Sequence, residues 1–165
     1  MKAPSSLCPV PDEQQPINEY QQLRESWFYS WVTRDLRGYI TPIVVLWCGS
    51  WLISGPVASV SFPIHKDFLH FCLSASVGAL LIPGLALLQV YLGWGYVADR
   101  LQRQSISYEE SGWYDGQVWD KPDDMLQRDR LVFDYDVKPL LKRLQQTFGI
   151  GGLIIVGIVA IWLIG

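Results

Sequence analysis

At 165 residues, with 13 basic and 16 acidic side chains, the chain has the length of one domain and a formal charge of −3. Half of its residues are hydrophobic and 18% are charged, and nearly all the charge lies in residues 1–38 and 96–147. That partition argues against a soluble domain, which spreads charge along amphipathic elements, and three cysteines without CxxC spacing argue against a disulfide framework or zinc site.

Residues 1–17 contain Pro4, Pro9, Pro11 and Pro16 and predict an extended N-terminal arm, because proline fixes φ and removes an amide donor. The arm lacks an apolar stretch and carries acids early, so neither a secretory signal nor a transit peptide is expected. Asn18, with Gln21, offers a weak capping box for an amphipathic helix over 19–37. Its stripe of Tyr20, Leu23, Trp27 and Trp31 suits a helix at the membrane interface or one packed on the protein's own polar block. Gly38 is expected to end it.

Thr41-Pro42 then opens a first span over 42–59, weakened at its far end by Gly55-Pro56. A short connection leads to a second span over 68–94, with a kink expected at Pro83. Its amphipathic continuation to Gln104 places Val97 and Leu101 together, with Asp99 and Arg103 facing elsewhere. Residues 96–147 form a polar loop. Within it, 105–121 predict a small β-hairpin turning at Glu110-Ser111-Gly112, followed by a short helix over Asp123–Val132. Asp136 is a candidate cap for a last helix with Pro139 in its first turn and Leu140, Leu141 and Leu144 along one edge.

Residues 148–165 carry no charge, and eighteen helical residues measure roughly 27 Å, close to the ~30 Å hydrocarbon core of a bilayer. Gly149, Gly151, Gly152 and Gly157 would allow close helix approach there. The expected fold is an all-α membrane protein. It has three transmembrane helices, an N-terminal interfacial amphipathic helix and a small β-hairpin in the cytoplasmic or stromal loop. The eight Trp and eight Tyr mostly flank the apolar segments, as aromatic belts do. Twelve of the 13 Lys and Arg fall in 1–38 or 96–147, and Lys66 is the exception. Basic residues stay cytoplasmic, so the N-terminus and residues 96–147 are expected on the cytoplasmic or stromal side and the C-terminus opposite.

Candidate chemistry is sparse. His65 and His70 are the only histidines, and five residues apart they do not share a helical face. His70 is the one candidate pigment, haem or metal ligand; the plainer expectation is an interfacial histidine with solvated nitrogens. Glu109, Glu110, Asp115, Asp120, Asp123 and Asp124 lack EF-hand order and any ExxH partner, so a solvated acidic surface is expected and no metal site. The apolar stretches 39–61 and 71–94 contain no ionisable Asp, Glu, Lys, Arg or His, which disfavours transport. No nucleophile motif or nucleotide fingerprint occurs, no catalytic residue is assigned, and a non-enzymatic protein is expected. Tyr108, Glu109, Glu110, Trp113, Tyr114, Asp115 and Trp119 are unusual in a polar loop. Their rings must pack on the protein's own helices or on a partner.

The opening Cys8-Pro9-Val10-Pro11 with Glu19-Tyr20, the runs YLGWGYVADRLQ, YEESGWYDGQVWDKP and RDRL, and Val137–Leu144 resemble one family across nearly the whole chain. This is the family of thylakoid membrane proteins conserved in the green lineage and diatoms. The resemblance implies a multi-pass protein of a thylakoid or cyanobacterial membrane, and an association with photosynthesis and low iron. Without a transit peptide, a cyanobacterial or plastid-encoded member is expected. No catalytic residue or defined cofactor comes with the resemblance. The leading expectation is therefore an accessory or assembly factor whose partners are the lipid bilayer and photosynthetic complexes, with no nucleic acid. A pigment-, haem- or metal-binding protein using His70 is the alternative, and a lipid- or isoprenoid-directed enzyme is the weakest.

Overall fold

The computed structural model describes residues 8–108 and 116–164. Its helices are α1 (Pro16–Glu25), α2 (Leu36–Ser61), α3 (Phe68–Ala79), α4 (Leu81–Gln102), α5 (Asp123–Val132) and α6 (Lys138–Ile164). Strands β1 (Ser105–Tyr108) and β2 (Gln117–Asp120) form an antiparallel pair. The chain divides into two compact units, one of Met1–Ser30 with Leu92–Leu141 and one of Trp31–Tyr91 with Lys142–Gly165. The first is called the polar unit and the second the apolar unit. Among the described residues three helical stretches are long and apolar enough to cross a membrane: Leu36–Ser61, Phe68–Gln102 and Asp123–Leu163.

The polar unit starts with a 3-10 turn over Asp12–Gln14, and α1 opens on Pro16 in the first helical turn, where its missing amide costs nothing. The arm is thus shorter than the expected 1–17, and Gln15 takes the cap position instead of Asn18. Helix α1 stops at Glu25, so the amphipathic helix expected over 19–37 is not continuous. One reason lies in the aromatics that follow. The Trp94 indole donates to the Tyr29 carbonyl at 3.2 Å, and the Tyr29 ring lies so close to α4 that a Cβ on Gly93 would sit 2.6 Å from it. The stripe splits accordingly: Tyr20 and Trp31 are buried, while Trp27 is 85% exposed.

Helix α4 supplies the polar unit's core with Val97 and Leu101, buried together as the helical phase predicts, and with Trp94. Asp99 and Arg103 pair at 2.7 Å on its exposed side. The hairpin register sets Ile106 opposite Trp119 and Tyr108 opposite Gln117, so Ile106 and Tyr108 share one face. Helix α5 begins after Pro122 with Asp123 and Asp124 in its first turn, where acids complement the helix dipole. No break separates it from α6. A single π turn over Phe133–Val137 carries the helix on, with the Lys138 amide reaching back to the Phe133 carbonyl. Pro139 offers no amide to the Tyr135 carbonyl, and the wide turn absorbs the mismatch. Asp136 therefore lies inside the turn and is not a cap.

In the apolar unit α2 runs from Leu36, six residues before the expected start at Pro42. Asp35 caps it by accepting the Gly38 amide at 3.1 Å, so Gly38 sits in the first turn and ends nothing. Thr41 is not a cap; its hydroxyl bonds back to the Arg37 carbonyl at 2.8 Å. Both Pro42 and Pro56 are carried inside the helix, which continues to Ser61. The expected kink at Pro83 is a break between α3 and α4 at Leu80. Proline 83 lacks the amide that the Ala79 carbonyl would take, and the Leu80 amide turns to Val77 instead.

Helices α2 and α3 pack through small side chains and one edge-on contact of Trp51 with Phe71. Ser50 and Ala58 on one helix, and Ala75 and Ala79 on the other, are buried, and a Cβ on Gly78 would lie 3.1 Å from the Ser54 Cβ. Close approach was expected in the last span instead. There, Cβ atoms on Gly149, Gly151, Gly152 and Gly157 would meet nothing within 4 Å, so these glycines make no close helix contact among the described residues.

Candidate functional site

Of the aromatic and acidic run singled out in the loop, Tyr108 and Trp119 are described; Glu109, Glu110, Trp113, Tyr114 and Asp115 lie outside the described residues. Tyr108 is 6% exposed and packs with Ile106 and Val10, with Cys8 and Trp119 against the same cluster. Its hydroxyl donates to the Gln117 Oε1 at 3.0 Å. These two rings are therefore part of the protein's own packing. They bind the N-terminal arm to the hairpin.

Around this cluster the polar unit is organised by three pairs of functional groups. Lys121 and Asp129 meet at 2.8 Å with both side chains fully buried. The lysine ammonium also donates to the carbonyls of Arg100 and Leu101 at 2.9 and 3.3 Å, in the last turn of α4, where a cation complements the helix dipole. Arg128 reaches the other Asp129 oxygen at 3.4 Å. One ammonium thereby ties the end of α4, the exit of β2 and α5 together.

Arg100 supplies the second pair, to Glu19 at 2.9 Å, and also donates to the Gln14 carbonyl and the Tyr96 hydroxyl at 2.7 Å. Burial pushes the Glu19 carboxyl above its ordinary value despite the opposing pull of Arg100, and its Oε2 is buried with no hydrogen-bond partner among the described residues. The third pair joins Tyr20 to Asp136, with the phenol donating at 2.8 Å and Arg24 3.3 Å from the phenol oxygen. Burial, and then the Asp136 carboxylate, raise the Tyr20 phenol, which stays a neutral donor.

The remaining loop acids Asp120, Asp123 and Asp124 are exposed, as a solvated surface requires. No cluster of three or more His, Cys, Asp or Glu suited to a metal occurs among the described residues. In the apolar unit, the His70 Nδ1 lies 2.6 Å from Asp67, the cap of α3, which also accepts the His70 amide. Bonding to the His70 ring, more than to its amide, holds the Asp67 carboxyl below its usual range. Phe62 stacks on the imidazole and Trp162 meets it edge-on. The same unit holds a cavity of about 750 Å³ whose lining is apolar except at one end, where Tyr39, Arg143, Gln146 and Thr147 gather.

Sequence reasoning missed the Lys121–Asp129 pair, although a signal existed. Asp129 falls in phase with Met125, Leu126, Val132 and Phe133, so a carboxylate occupied the apolar stripe of a short helix.

Residues 8–150 match the model of the CGLD27-like family, Conserved in the green lineage and diatoms 27. The chain belongs to this family. The chloroplastic protein Conserved in the green lineage and diatoms 27 of Arabidopsis thaliana is 46% identical over 154 residues, which cover 92% of the chain and 47% of that protein. The uncharacterised protein ycf36 of Pyropia yezoensis is 42% identical over 153 residues and 93% of each chain. The ycf36 protein of Cyanophora paradoxa is 39% identical over 91% of the chain and 94% of its own length. The chain thus spans about half the Arabidopsis relative and nearly all of the two ycf36 proteins. No solved structure matches. The match begins at Cys8, so the CGLD27-like region takes in the arm residues that pack on the hairpin, and it contains Lys121, Asp129, Arg100 and Glu19.

Proposed function

We propose that this CGLD27-like protein is a non-enzymatic accessory or assembly factor for photosynthetic membrane complexes, anchored in a thylakoid-type bilayer by its three apolar helices. Its basic residues favour a cytoplasmic or stromal position for the N-terminus and the polar loop, with the C-terminus opposite. The chloroplastic location named for the Arabidopsis relative supports the setting. Service in iron-poor membranes, which the resemblance implies, is part of this proposal.

One observation carries this assignment. Ionic and phenolic groups in the interior of the polar unit, Lys121 with Asp129, Arg100 with Glu19 and Tyr20 with Asp136, are bonded to one another. Groups held this way fix the shape of a platform, and shape is what a docking protein needs. Affinity purification from solubilised thylakoids tests it. Recovery of photosystem, cytochrome or antenna subunits is expected, and recovery of none overturns it. Trp113→Ala should lose partners without loss of the protein. Trp119→Ala, which disturbs the Val10–Tyr108 cluster, should instead lower accumulation.

A second reading, a pigment- or haem-binding protein, draws on His70. A carboxylate bonded to one imidazole nitrogen is the arrangement that orients the other toward a metal. Absorbance of the purified protein decides it: a colourless preparation removes this reading, and colour lost in His70→Leu supports it.

A further inference from the structure

The cavity of about 750 Å³ in the apolar unit is bounded by α2, the first turns of α4 and the early part of α6. Its size falls within the ~300–1,000 Å³ of small-molecule sites. Along α6 its lining runs from Arg143 to Ile155, a rise of roughly 18 Å of helix. One leaflet of a bilayer core is about 15 Å deep, half of the ~30 Å whole. The polar lining ends at Thr147, and the apolar part from Phe148 to Ile155 is roughly 10 Å long, so the cavity takes the upper part of one acyl chain, with its polar end where the uncharged run begins.

That polar end is electropositive. Arg143 is half-buried, donates to the Arg34 carbonyl at 2.9 Å and lies 4.9 Å from the centre of the Tyr39 ring. No carboxylate pairs with it among the described residues. The segments 31–43 and 142–155, which carry this end, contain Arg34, Arg37, Lys142 and Arg143 against the single acid Asp35, and Asp35 is engaged as the cap of α2. The Tyr39 and Thr147 hydroxyls, 2.6 Å apart, add polar atoms beside the guanidinium. The apolar end is kept open by Gly84, Gly151 and Gly152, at each of which a Cβ would meet nothing within 4 Å.

We infer that this cavity holds one anionic membrane lipid, its acyl chain lying along α6 past Gly151 and its phosphate- or sulfonate-type headgroup bound by Arg143. A guanidinium suits such a group because its fixed fork of donors matches the oxygens and resists deprotonation. A neutral lipid would leave the charge at the cavity mouth uncompensated. The inference rests on the bilayer location proposed above, but on neither the accessory nor the pigment assignment.

The test uses the full chain reconstituted in mixed vesicles of phosphatidylcholine and phosphatidylglycerol, extracted gently and analysed for retained lipid by native mass spectrometry. About one phosphatidylglycerol per chain is expected, well above its share of the vesicle. Arg143→Gln should lower retention about tenfold, the worth of one charge-assisted hydrogen bond, and Arg143→Lys should restore part of it. Gly151→Phe should block the chain end with similar loss; its side chain enters open space, so it guards against misfolding of the arginine variant. Retention at the bulk ratio, unchanged retention in both variants, or a pigment or protein segment crosslinked at position 151 would each overturn the inference. A carbonate wash separates the two levels: a chain released from vesicles refutes the bilayer location, whereas one that stays embedded without enriched lipid refutes the cavity's occupant alone.

Discussion

The polar and apolar units solve the problem of cohesion by opposite means. Buried within the polar unit are a full ammonium–carboxylate pair, Lys121 with Asp129, and an indole bonded to a backbone carbonyl. In the apolar unit, by contrast, the α2–α3 contact buries Ser50, Ala58, Ala75 and Ala79 and brings Gly78 close to Ser54, with one edge-on ring contact of Trp51 and Phe71 beside them. The difference fits the bilayer location proposed above for the apolar helices. In lipid there is no hydrophobic gain from pressing two apolar helices together, so dispersion and small residues must serve. In water, burying large side chains is favourable, and a paired charge can be tolerated when every lone pair and proton is engaged.

The largest effect should come from breaking the buried pair on one side. Asp129→Ala leaves the Lys121 ammonium inside without its carboxylate, at a cost of about 3–5 kcal/mol. Rapid tryptic cleavage within 96–141, with the apolar helices still retained in membranes, is the expected readout. The double change Lys121→Met with Asp129→Leu should recover much of the loss. If it does not, the pair does more than fill space.

Overpacking compares the two units on equal terms. Gly93→Ala sets a methyl 2.6 Å from the Tyr29 ring in the polar unit, and Gly78→Leu forces apart the α2–α3 contact at Ser54 in the apolar one. Each should lose about 1–3 kcal/mol, seen as a lower thermal midpoint in detergent. Cleavage should rise in the polar segment for the first and in the 61–67 connection for the second.

Glu19 gives a subtler contrast. Its folded-state carboxyl is raised, so the stabilising contribution is full below the ordinary Glu range near 4.5 and is lost as pH rises through the folded value. The polar unit of Glu19→Gln should accordingly show a flatter stability profile above pH 4.5, measured by proteolysis across pH. The smallest effect is a gain. Gly95→Ala, two residues from Gly93 but with open space at its Cβ, should stabilise α4 by about 0.5–1 kcal/mol through helix propensity alone.

The apolar helices and the hairpin were legible from hydropathy and from alternating residues around a turn. Helix ends were less so, because they were decided by partners distant in sequence. The break after Glu25 depends on Trp94 drawing in the Tyr29 carbonyl, and neither residue announces the other. Asp136 looked like a cap because acids favour caps, yet Tyr20 claims it from 116 residues away. Glycines in the last span resembled a helix-packing seam, since spacing alone cannot distinguish a glycine facing a helix from one facing a cavity.

The bond from Tyr20 to Asp136 also sets a timetable for biosynthesis. The ribosome must add 116 residues after the phenol before its acceptor exists, roughly 6–23 s at 5–20 residues per second. Over that interval the first two apolar helices have already been translated, while the α1 segment still lacks the hairpin and α5 on which its unit depends. Insertion of those helices into the bilayer can therefore precede completion of the polar unit, and a nascent chain stalled before residue 136 should expose α1 to protease however far its first helices have been inserted.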